Sequence, residues 1–471
     1  MAKASPEAWA IYASEGEWQS AHHLRVLIDY LMRVYRGEIK RLAISFPPGH
    51  SKSETVTKYF ATWWLGRRPN DRVALAAYGQ LLSTQWGKAT KNLMVAHGAD
   101  VFGTTTFSRS AAREWFPHDA KTRKQFRRGF LFSTSVGGVF TGKRGELIIC
   151  DDILKGAAEA NNKTIRDNVW TWFQGEVLSR TLPHSAVIMI GTRWHHDDPI
   201  GRVATLEGGE PWTILNFPAI CTGDDPTRRE IGEALWPEMF PIDFLERQRA
   251  EVGTYIWQAL YQGNPTAEDG TLFRRKWFKY FTRDGADILS DFGRVPSDSL
   301  PRLAAVDLSV STKDTGDYSV IAIFALDLTK RVMYLEDIIR FRAEGPDIVP
   351  KLWEAQKRYK CRAIYIEKIG FQTALLQEAV RSGLPARPVL PDRDKFTRAL
   401  PAAAAVENGR ILFPAGAKWL PQFEHELLTF PHGVHEDQVD ALAYGVRKCA
   451  ELWAMATRRR QDDGLGNRIV V

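Results

Sequence analysis

Two successive α/β domains are what this sequence predicts, and three observations predict them. From about residue 24 to residue 216, short apolar runs alternate with longer amphipathic stretches, the pattern of strands and helices around a largely parallel sheet. Between 216 and 270 the texture changes, with Pro218, Pro226, Pro237, Pro241 and Pro265 punctuating the chain. From Arg302 the pattern resumes as three consecutive strand-like runs with short connections, an antiparallel start. The resulting division is a first domain over 1–216, a linking subdomain and hinge over 217–270, a second domain over 271–455 and a basic, flexible tail over 456–471.

In the first domain the predicted strands are 41–46, 72–78, 145–151, 186–191 and 213–217. The runs at 147–150 and 187–190 are apolar without alternation, as in central strands covered on both faces. The linking subdomain carries a helical stretch over 242–260 and a hinge over 264–271, and the polar stretch 282–301 reads as loop. In the second domain strands are expected at 303–308, 319–327, 331–338, 363–367 and 387–390, with helices at 347–359, 372–382 and 437–455. The alanine run 402–405 is helix by propensity.

The 471 residues allow two to four domains. With 44% hydrophobic and 25% charged residues, wholesale disorder is excluded. Lys and Arg number 63 against 56 Asp and Glu, a net charge of +7 that permits a nucleic-acid partner without requiring one. Four cysteines, Cys150, Cys221, Cys361 and Cys449, form no C-x-x-C pair and no zinc spacing, so buried thiols in a reducing compartment are expected. The first residues lack the apolar core of a signal peptide and no run reaches membrane-spanning length, so a soluble intracellular protein is expected.

The strongest local signal follows the first strand: Pro47-Pro48-Gly49-His50-Ser51-Lys52-Ser53-Glu54, then a helix with Val56, Tyr59, Phe60 and Trp63 on one face. Such a loop aims backbone N–H groups at an anion, and the helix N-terminus adds its positive dipole end. Lys52 is placed to neutralise β/γ-phosphate charge and the Ser53 hydroxyl to bind Mg²⁺. Phe46 and Ser51 stand where G-x-x-x-x-G-K-[ST] has glycine, so an ordinary polar turn capping a helix shares the pattern. The strand 145–151 ends in Asp151-Asp152, one to hold Mg²⁺ through water and one to orient or deprotonate the attacking water; alone, the two would read as a helix cap. The strand 186–191 ends in Gly191-Thr192-Arg193-Trp194-His195-His196-Asp197-Asp198, where open α/β sheets bind ligands. Thr192 or Arg193 is placed to sense the γ-phosphate, and Asp197 or Asp198 to cap the next helix.

A second constellation lies downstream. Asp307 interrupts an apolar strand, where an ionised carboxylate is costly unless paired with a cation or metal. Glu367 ends a later strand, and Asp437 and Asp440 share one face of the first turn of the last helix. Acids from two strands and a helix are what a two-metal phosphodiesterase needs. Asp317 is an auxiliary ligand or a turn residue beside Gly316. Glu336, Asp337 and Asp392 read as solvated surface or cap residues.

In this order, P-P-x-H-x-K-S-E, I-I-x-D-D, G-T-R-W-H-x-D-D and the terminal H-x-D-Q-V-D-A-L, the motifs resemble the large terminase subunit of tailed bacteriophages, from about His22 to Tyr444. The resemblance implies an N-terminal P-loop ATPase of the additional-strand class and a C-terminal ribonuclease-H-like nuclease. It implies an ATP-driven motor that moves viral double-stranded DNA into a prohead and cuts concatemers. By motif position, Pro48, Gly49, His50, Ser51, Lys52, Ser53 and Glu54 cradle ATP and Asp151 is the Walker B acid. Asp152 is the catalytic carboxylate, a position often Glu in the family, and Thr192 belongs to the coupling motif. Mg²⁺ at Ser53 and Asp151 serves the ATPase, and Mg²⁺ or Mn²⁺ at Asp307, Glu367 and Asp437, supported by Asp440, serves the nuclease. Arg144, with Lys143 as substitute, is the candidate arginine donated to a neighbour's γ-phosphate, or else a surface or DNA-facing residue. Gln19 and His22 either contact adenine or open a solvated helix. Arg109, Arg113, Lys121, Arg123, Lys124, Arg127 and Arg128 track DNA, line a subunit interface or form a solvated face. Implied partners are the portal protein on its prohead, the small terminase subunit and further copies in a ring, a pentamer by family. The implied location is the host cytoplasm, transiently at the portal vertex. The competing readings are an integrase- or resolvase-type nuclease with a regulatory nucleotide-binding domain, and a non-catalytic assembly protein.

Overall fold

The computed structural model describes residues 2–107, 112–138, 140, 142–223, 225–265, 272–309, 318–368, 370, 372–390, 394–431, 433 and 436–466. The chain divides into two compact units, Met1–Gln248 with Tyr255–Ala267 and Arg249–Thr254 with Glu268–Val471.

The first unit is built on seven strands: β1 (Arg41–Ser45), β2 (Arg72–Ala77), β4 (Glu114–Trp115), β6 (Phe130–Ser135), β7 (Gly145–Asp151), β8 (Thr181–Gly191) and β9 (Thr213–Asn216). A separate two-stranded pair is formed by β3 (Thr104–Thr105) and β5 (His118–Asp119). The large sheet has the order β4-β6-β2-β7-β8-β1-β9 and is parallel except where β4 meets β6. Its non-alternating runs are explained by the pleat. Leu147, Ile149, Ile188 and Ile190 enter the core on one face, while Ile148, Cys150, Val187 and Met189 enter the core on the other. All the parallel strands of this sheet run the same way, so the loops after β1, β7 and β8 open at one end.

The segment after β9 belongs with this unit. The Phe217 N–H donates to Ser45 O at 3.0 Å and the Phe217 ring stacks on Phe46 at 4.2 Å. The helix predicted over 242–260 is not continuous: Ile242–Ile256 contains Gly253 at φ 78°, ψ 165°, and a separate turn of i→i+5 winding covers Trp257–Tyr261. A left-handed backbone there suits only glycine without strain.

The second unit has nine strands: β10 (Lys279–Asp284), β11 (Asp287–Ser290), β12 (Gly293–Pro296), β13 (Arg302–Asp307), β14 (Ser319–Asp327), β15 (Val332–Phe341), β16 (Ala363–Glu367), β17 (Ala386–Val389) and β18 (Ile411–Pro414). They lie in the order β12-β11-β10-β18-β15-β14-β13-β16-β17. Antiparallel β15-β14-β13 continue into parallel β13-β16-β17, which sets the C-terminal ends of β13 and β16 side by side.

Three sequence expectations are corrected here. The stretch 282–301 is not a loop: its strands β10, β11 and β12 form an antiparallel meander. Each contributes a single well-buried apolar residue, Phe281, Ile288 and Val295, packed around Tyr334 and Leu412, too sparse a signal to show a period. The final helix does not stop at 455 but runs Asp437–Gly466, so 456–466 of the expected tail are helical; no proline interrupts the sequence there and the first glycine is Gly464. Glu336 is not a solvated residue: its side chain is 1% exposed and is held by Arg283 and Arg302, each at 2.5 Å. Asp337 is half-buried and accepts from the Tyr359 hydroxyl. The last helix packs directly on β14, because a Cβ at Gly445 would stand 2.1 Å from the Phe324 ring. All four cysteines are buried free thiols, and among the described residues no helix is long and apolar enough to cross a membrane.

Candidate active sites

The loop leaving β1 turns on two left-handed residues, Gly49 at φ 78° and Ser51 at φ 58°. Serine carries strain there that glycine would not, and such strain persists where surrounding structure fixes it. The His50 ring, stacked on Phe240 at 4.5 Å, faces Pro48 O through Nδ1 at 2.8 Å. Phe240 also closes over Gly49, where a Cβ would meet the ring at 3.0 Å. Pro48, Gly49, His50 and Ser51 are thus the turn itself. The helix after it begins with Lys52 and Ser53 and is wound i→i+5 over Glu54–Phe60.

The sheet then brings the acids to the loop. The Ser53 hydroxyl donates to Asp151 Oδ1 at 2.8 Å and the Thr57 hydroxyl to Oδ2 at 2.7 Å. Thr57 was missed in the sequence, although one helical turn after Ser53 puts it on the same face. Burial, then the charge of Asp152, push the Asp151 carboxyl well above the usual carboxylate range. Lys52 Nζ lies 3.4 Å from Asp152 Oδ2, and the Thr192 N–H donates to Asp152 Oδ1 at 2.9 Å. Asp152 itself sits at φ 45°, and Gly191 leaves room for it, since a Cβ there would stand 3.0 Å from Oδ1. Left-handed backbone shows that Asp152 is not a helix cap. Ser53, Asp151, Lys52, Asp152 and Thr192 therefore form one cluster at the ligand-binding end of the sheet.

Other candidates are placed elsewhere. Glu54 pairs with Lys58 at 3.1 Å on the helix surface. Arg193 grips Asp198 through Nε at 2.9 and 2.8 Å, and Asp198 caps the helix Pro199–Ala204 by accepting from the Gly201 N–H at 2.9 Å. Asp197 is held by Arg202 at 2.7 Å and the buried Arg166 at 3.1 Å, and hydrogen bonding from Arg202 holds its carboxyl down to about 2. Thr192 is thus the residue of this segment that reaches the acids. Arg144 is exposed just before β7, at the end of the strand opposite Asp151, roughly 20 Å away at about 3.3 Å per residue. Lys143 is engaged with Glu114 at 2.6 Å. Gln19 and His22 line a cavity of about 770 Å³ with Arg25, Arg229 and Trp236, and His22 Nε2 lies 3.1 Å from Thr227 O. Arg113, Lys121, Arg123, Lys124, Arg127 and Arg128 are exposed, whereas Arg109 lies outside the described residues.

His23, fully buried beside His50 at 5.9 Å and Trp236 at 5.2 Å, has its pKa lowered by burial from 6.5 to about 3. Burial lowers that of His50 to about 4. Between those values and 6.5 the unfolded chain binds protons that the folded one refuses, so stability falls as pH drops through that window. Thermal unfolding followed from about pH 7 down to about pH 5 should show a falling Tm, with a shallower slope in His23→Leu. Equal slopes would contradict the burial of a neutral His23.

In the second unit, Asp307 ends β13 and Glu367 ends the neighbouring β16. Asp437 and Asp440 stand in the first turn of the last helix, whose N-terminus is tied down by buried Glu426, accepting from the N–H groups of Gln438 at 2.6 Å and Val439 at 3.2 Å. Asp307 is pushed well above the carboxylate range by burial first, then by the charges of Asp440, Glu367 and Asp437. The four acids thus share one neighbourhood. Sequence reasoning missed the cations among them. Arg398 reaches Glu367 at 3.2 Å and Asp440 at 2.7 Å, Lys395 reaches Asp440 at 3.5 Å, and Arg340 lies 3.9 Å from Asp437. The Tyr444 hydroxyl bonds Glu367. Tyr444 was findable one helical turn after Asp440, but nothing marked Arg398. Asp317, Asp392 and His435 lie outside the described residues. The donor chemistry fits hard divalent cations, being all carboxylate oxygen with negative charge in excess. Among the described residues, no group of three such side chains stands ready-formed around an ion.

A phosphate loop facing acids on a parallel sheet, followed in the same chain by a ribonuclease-H-like sheet with converging carboxylates, defines a nucleotide hydrolase joined to a nuclease. The family model described as terminase large subunit, T4likevirus-type, N-terminal matches residues 43–280, and the terminase RNaseH-like domain matches residues 304–448. The chain belongs to the large terminase subunits, the DNA-packaging ATPases with nuclease activity. Its fold is similar to that of the large terminase of a thermophilic bacteriophage, at TM-score 0.50, 9% identity, 89% of this chain and 98% of that one. The same phage's large terminase in complex with ADP gives TM-score 0.49 at 10% identity, covering 88% and 98%. The large terminase nuclease of thermophilic phage G20c with bound magnesium gives TM-score 0.28 at 18% identity, covering 36% and 91%. No functionally curated sequence matches the chain. Membership in this family replaces the integrase-type and the non-catalytic readings.

Proposed function

We propose that this large terminase splits ATP at the cluster of Lys52, Ser53, Asp151, Asp152 and Thr192 and cuts DNA at Asp307, Glu367, Asp437 and Asp440. The observation that carries the first half is the convergence of Ser53 on Asp151 and of Lys52 and Thr192 on Asp152 at one end of the sheet. Mg²⁺ bound with ATP would supply Lewis-acid charge, and Ser53 and Asp151 are the residues that would hold it. Lys52 leaves Asp152 for the γ-phosphate, freeing that carboxylate to orient the attacking water. Thr192 links the carboxylate to the end of β8. Gln19 and His22 take the adenine in the cavity they line. Arg144, distant from its own chain's cluster, acts on the nucleotide of a neighbouring copy in a ring.

In the nuclease, Mg²⁺ or Mn²⁺, when bound, would supply Lewis-acid activation of water and charge to stabilise the leaving oxygen. The four acids would hold the ions, and the Tyr444 hydroxyl, bonded to Glu367, would orient that carboxylate. The exposed basic segment from Arg113 to Arg128 faces the phosphate backbone of double-stranded DNA. The working partners are a portal-bearing prohead, a small terminase subunit and further copies of this chain, pentameric by family. The site of action is the portal vertex in the host cytoplasm.

The test is in vitro packaging with purified proheads. ATP-dependent protection of DNA from added nuclease is expected, with ATPase turnover rising when proheads and DNA are both present. Unchanged turnover with no protected DNA would refute the motor reading.

A further inference from the structure

Asp437 and Asp440 stand in the first turn of the last helix, the part of a helix that frays unless its free N–H groups are bonded. In that turn the N–H groups of Gln438 and Val439 are bonded from another helix. Glu426 Oε1 accepts both, at 2.6 and 3.2 Å, and Glu426 Oε2 accepts from Gln438 Nε2 at 2.6 Å. Three donors thus close on one carboxylate, in a residue only 5% exposed. Glu436, immediately before the last helix, turns its own carboxylate to Lys395 at 3.4 Å.

Glu426 is itself held in place. Its helix, Leu420–Thr429, buries Phe423 and Leu427 fully, and Phe423 meets Phe413 of β18 edge-on at 5.4 Å. On the same helix Glu424 accepts from Arg275 and from the Tyr280 hydroxyl, each at 2.8 Å. A packed helix therefore carries the acceptor that ties down the turn bearing two of the acids. What Glu426 supplies is acceptor oxygen at fixed points. A glutamine there would keep one oxygen on the helix N–H groups and could donate to a turned-over Gln438 amide, whereas an alanine would leave two buried N–H groups without an acceptor.

We propose that Glu426 is a positioning residue of the nuclease: by capping the last helix from a neighbouring one, it holds Asp437 and Asp440 where a divalent ion meets both. The inference rests on the nuclease reading of the acids. Partners behind a metal ligand act in this way, by fixing where the ligand stands.

The test titrates Mn²⁺ alone into the full chain by calorimetry, without nucleotide or DNA, and follows amide hydrogen exchange across 436–444. Parallel titration of Asp307→Asn identifies the ions that belong to this site. Glu426→Ala should weaken Asp307-dependent Mn²⁺ binding by about 10–100-fold, with faster exchange at Gln438 and Val439. The Mn²⁺ concentration for half-maximal DNA cleavage should rise by the same factor, with the rate recovering at saturating metal. A merely stabilising role would lower the Tm without moving that midpoint. Glu426→Gln should bind Mn²⁺ as the wild type does. Wild-type Mn²⁺ affinity in a folded Glu426→Ala overturns the proposal, and so does an equal loss in Glu426→Gln, which would assign the effect to charge. If Glu426→Ala does not fold, Glu426→Asp, whose carboxylate is one methylene short, decides in its place: weakened binding upholds the proposal and unchanged affinity overturns it. No Asp307-dependent Mn²⁺ in the wild type would instead remove the nuclease reading, and the proposal with it.

Discussion

Lys52→Ala should cut ATP hydrolysis by about 10²–10³-fold, the usual cost of removing one charge-stabilising donor from a phosphoryl- or acyl-transfer site. Lys52 is nearly buried and its ammonium is the cation placed 3.4 Å from Asp152. Without it, only the hydrogen bonds from Ser53, Thr57 and Thr192 offset the repulsion between Asp152 and Asp151 on adjacent residues, and its charge at the γ-phosphate is lost. DNA packaging should fail in the same variant, while cleavage by the second unit persists. A steady-state ATPase assay beside a DNA-cleavage assay decides it. A variant retaining more than about a tenth of the wild-type turnover would show that Lys52 is not the phosphate ligand.

Asp307→Asn should lower DNA cleavage by more than about 100-fold, beyond what losing a residue behind a metal ligand costs, and leave ATPase turnover intact. It should also raise the Tm of the metal-free chain. Asp307 is half-buried next to three other carboxylates, and its unfavourable charge opposes folding above the pH at which an unfolded Asp ionises. Removing that carboxylate relieves the repulsion while deleting a ligand. Lost cleavage together with gained stability excludes unfolding as the cause. Cleavage within a few-fold of the wild type would remove Asp307 from the site.

Much of this was legible in the sequence because charge in an apolar strand is conspicuous. Asp151 ends a buried strand of the first sheet, and Asp307 and Glu367 end neighbouring parallel strands of the second, whose order brings those two ends together without any further signal. The strand–loop–helix turn around Ser51 was legible, because Lys52-Ser53 follow a strand and open a helix. What stayed hidden was whatever tertiary packing alone supplies. Arg398 comes from a helix with no distinguishing motif and meets Glu367 only through the fold. Glu336 looked like a surface acid because its partners, Arg283 and Arg302, lie in a stretch and at a strand start that read as polar. The meander around Ile288 and Val295 buries too few apolar residues to produce a period.

Asp152, just past the end of β7, is tied to the ends of β8 and β2 at once. Its N–H donates to Ile190 O at 2.9 Å, its carbonyl accepts from the Tyr78 N–H at 3.2 Å, and its carboxylate accepts from the Thr192 N–H at 2.9 Å. The knot is drawn tight by a left-handed peptide that has little freedom to turn. Any lever stroke that pulls the segment leading into the helix Pro199–Ala204 must carry the Asp152 carboxylate with it. Mechanical work and bond cleavage would then share a single pivot, and neither could advance while the other stands still.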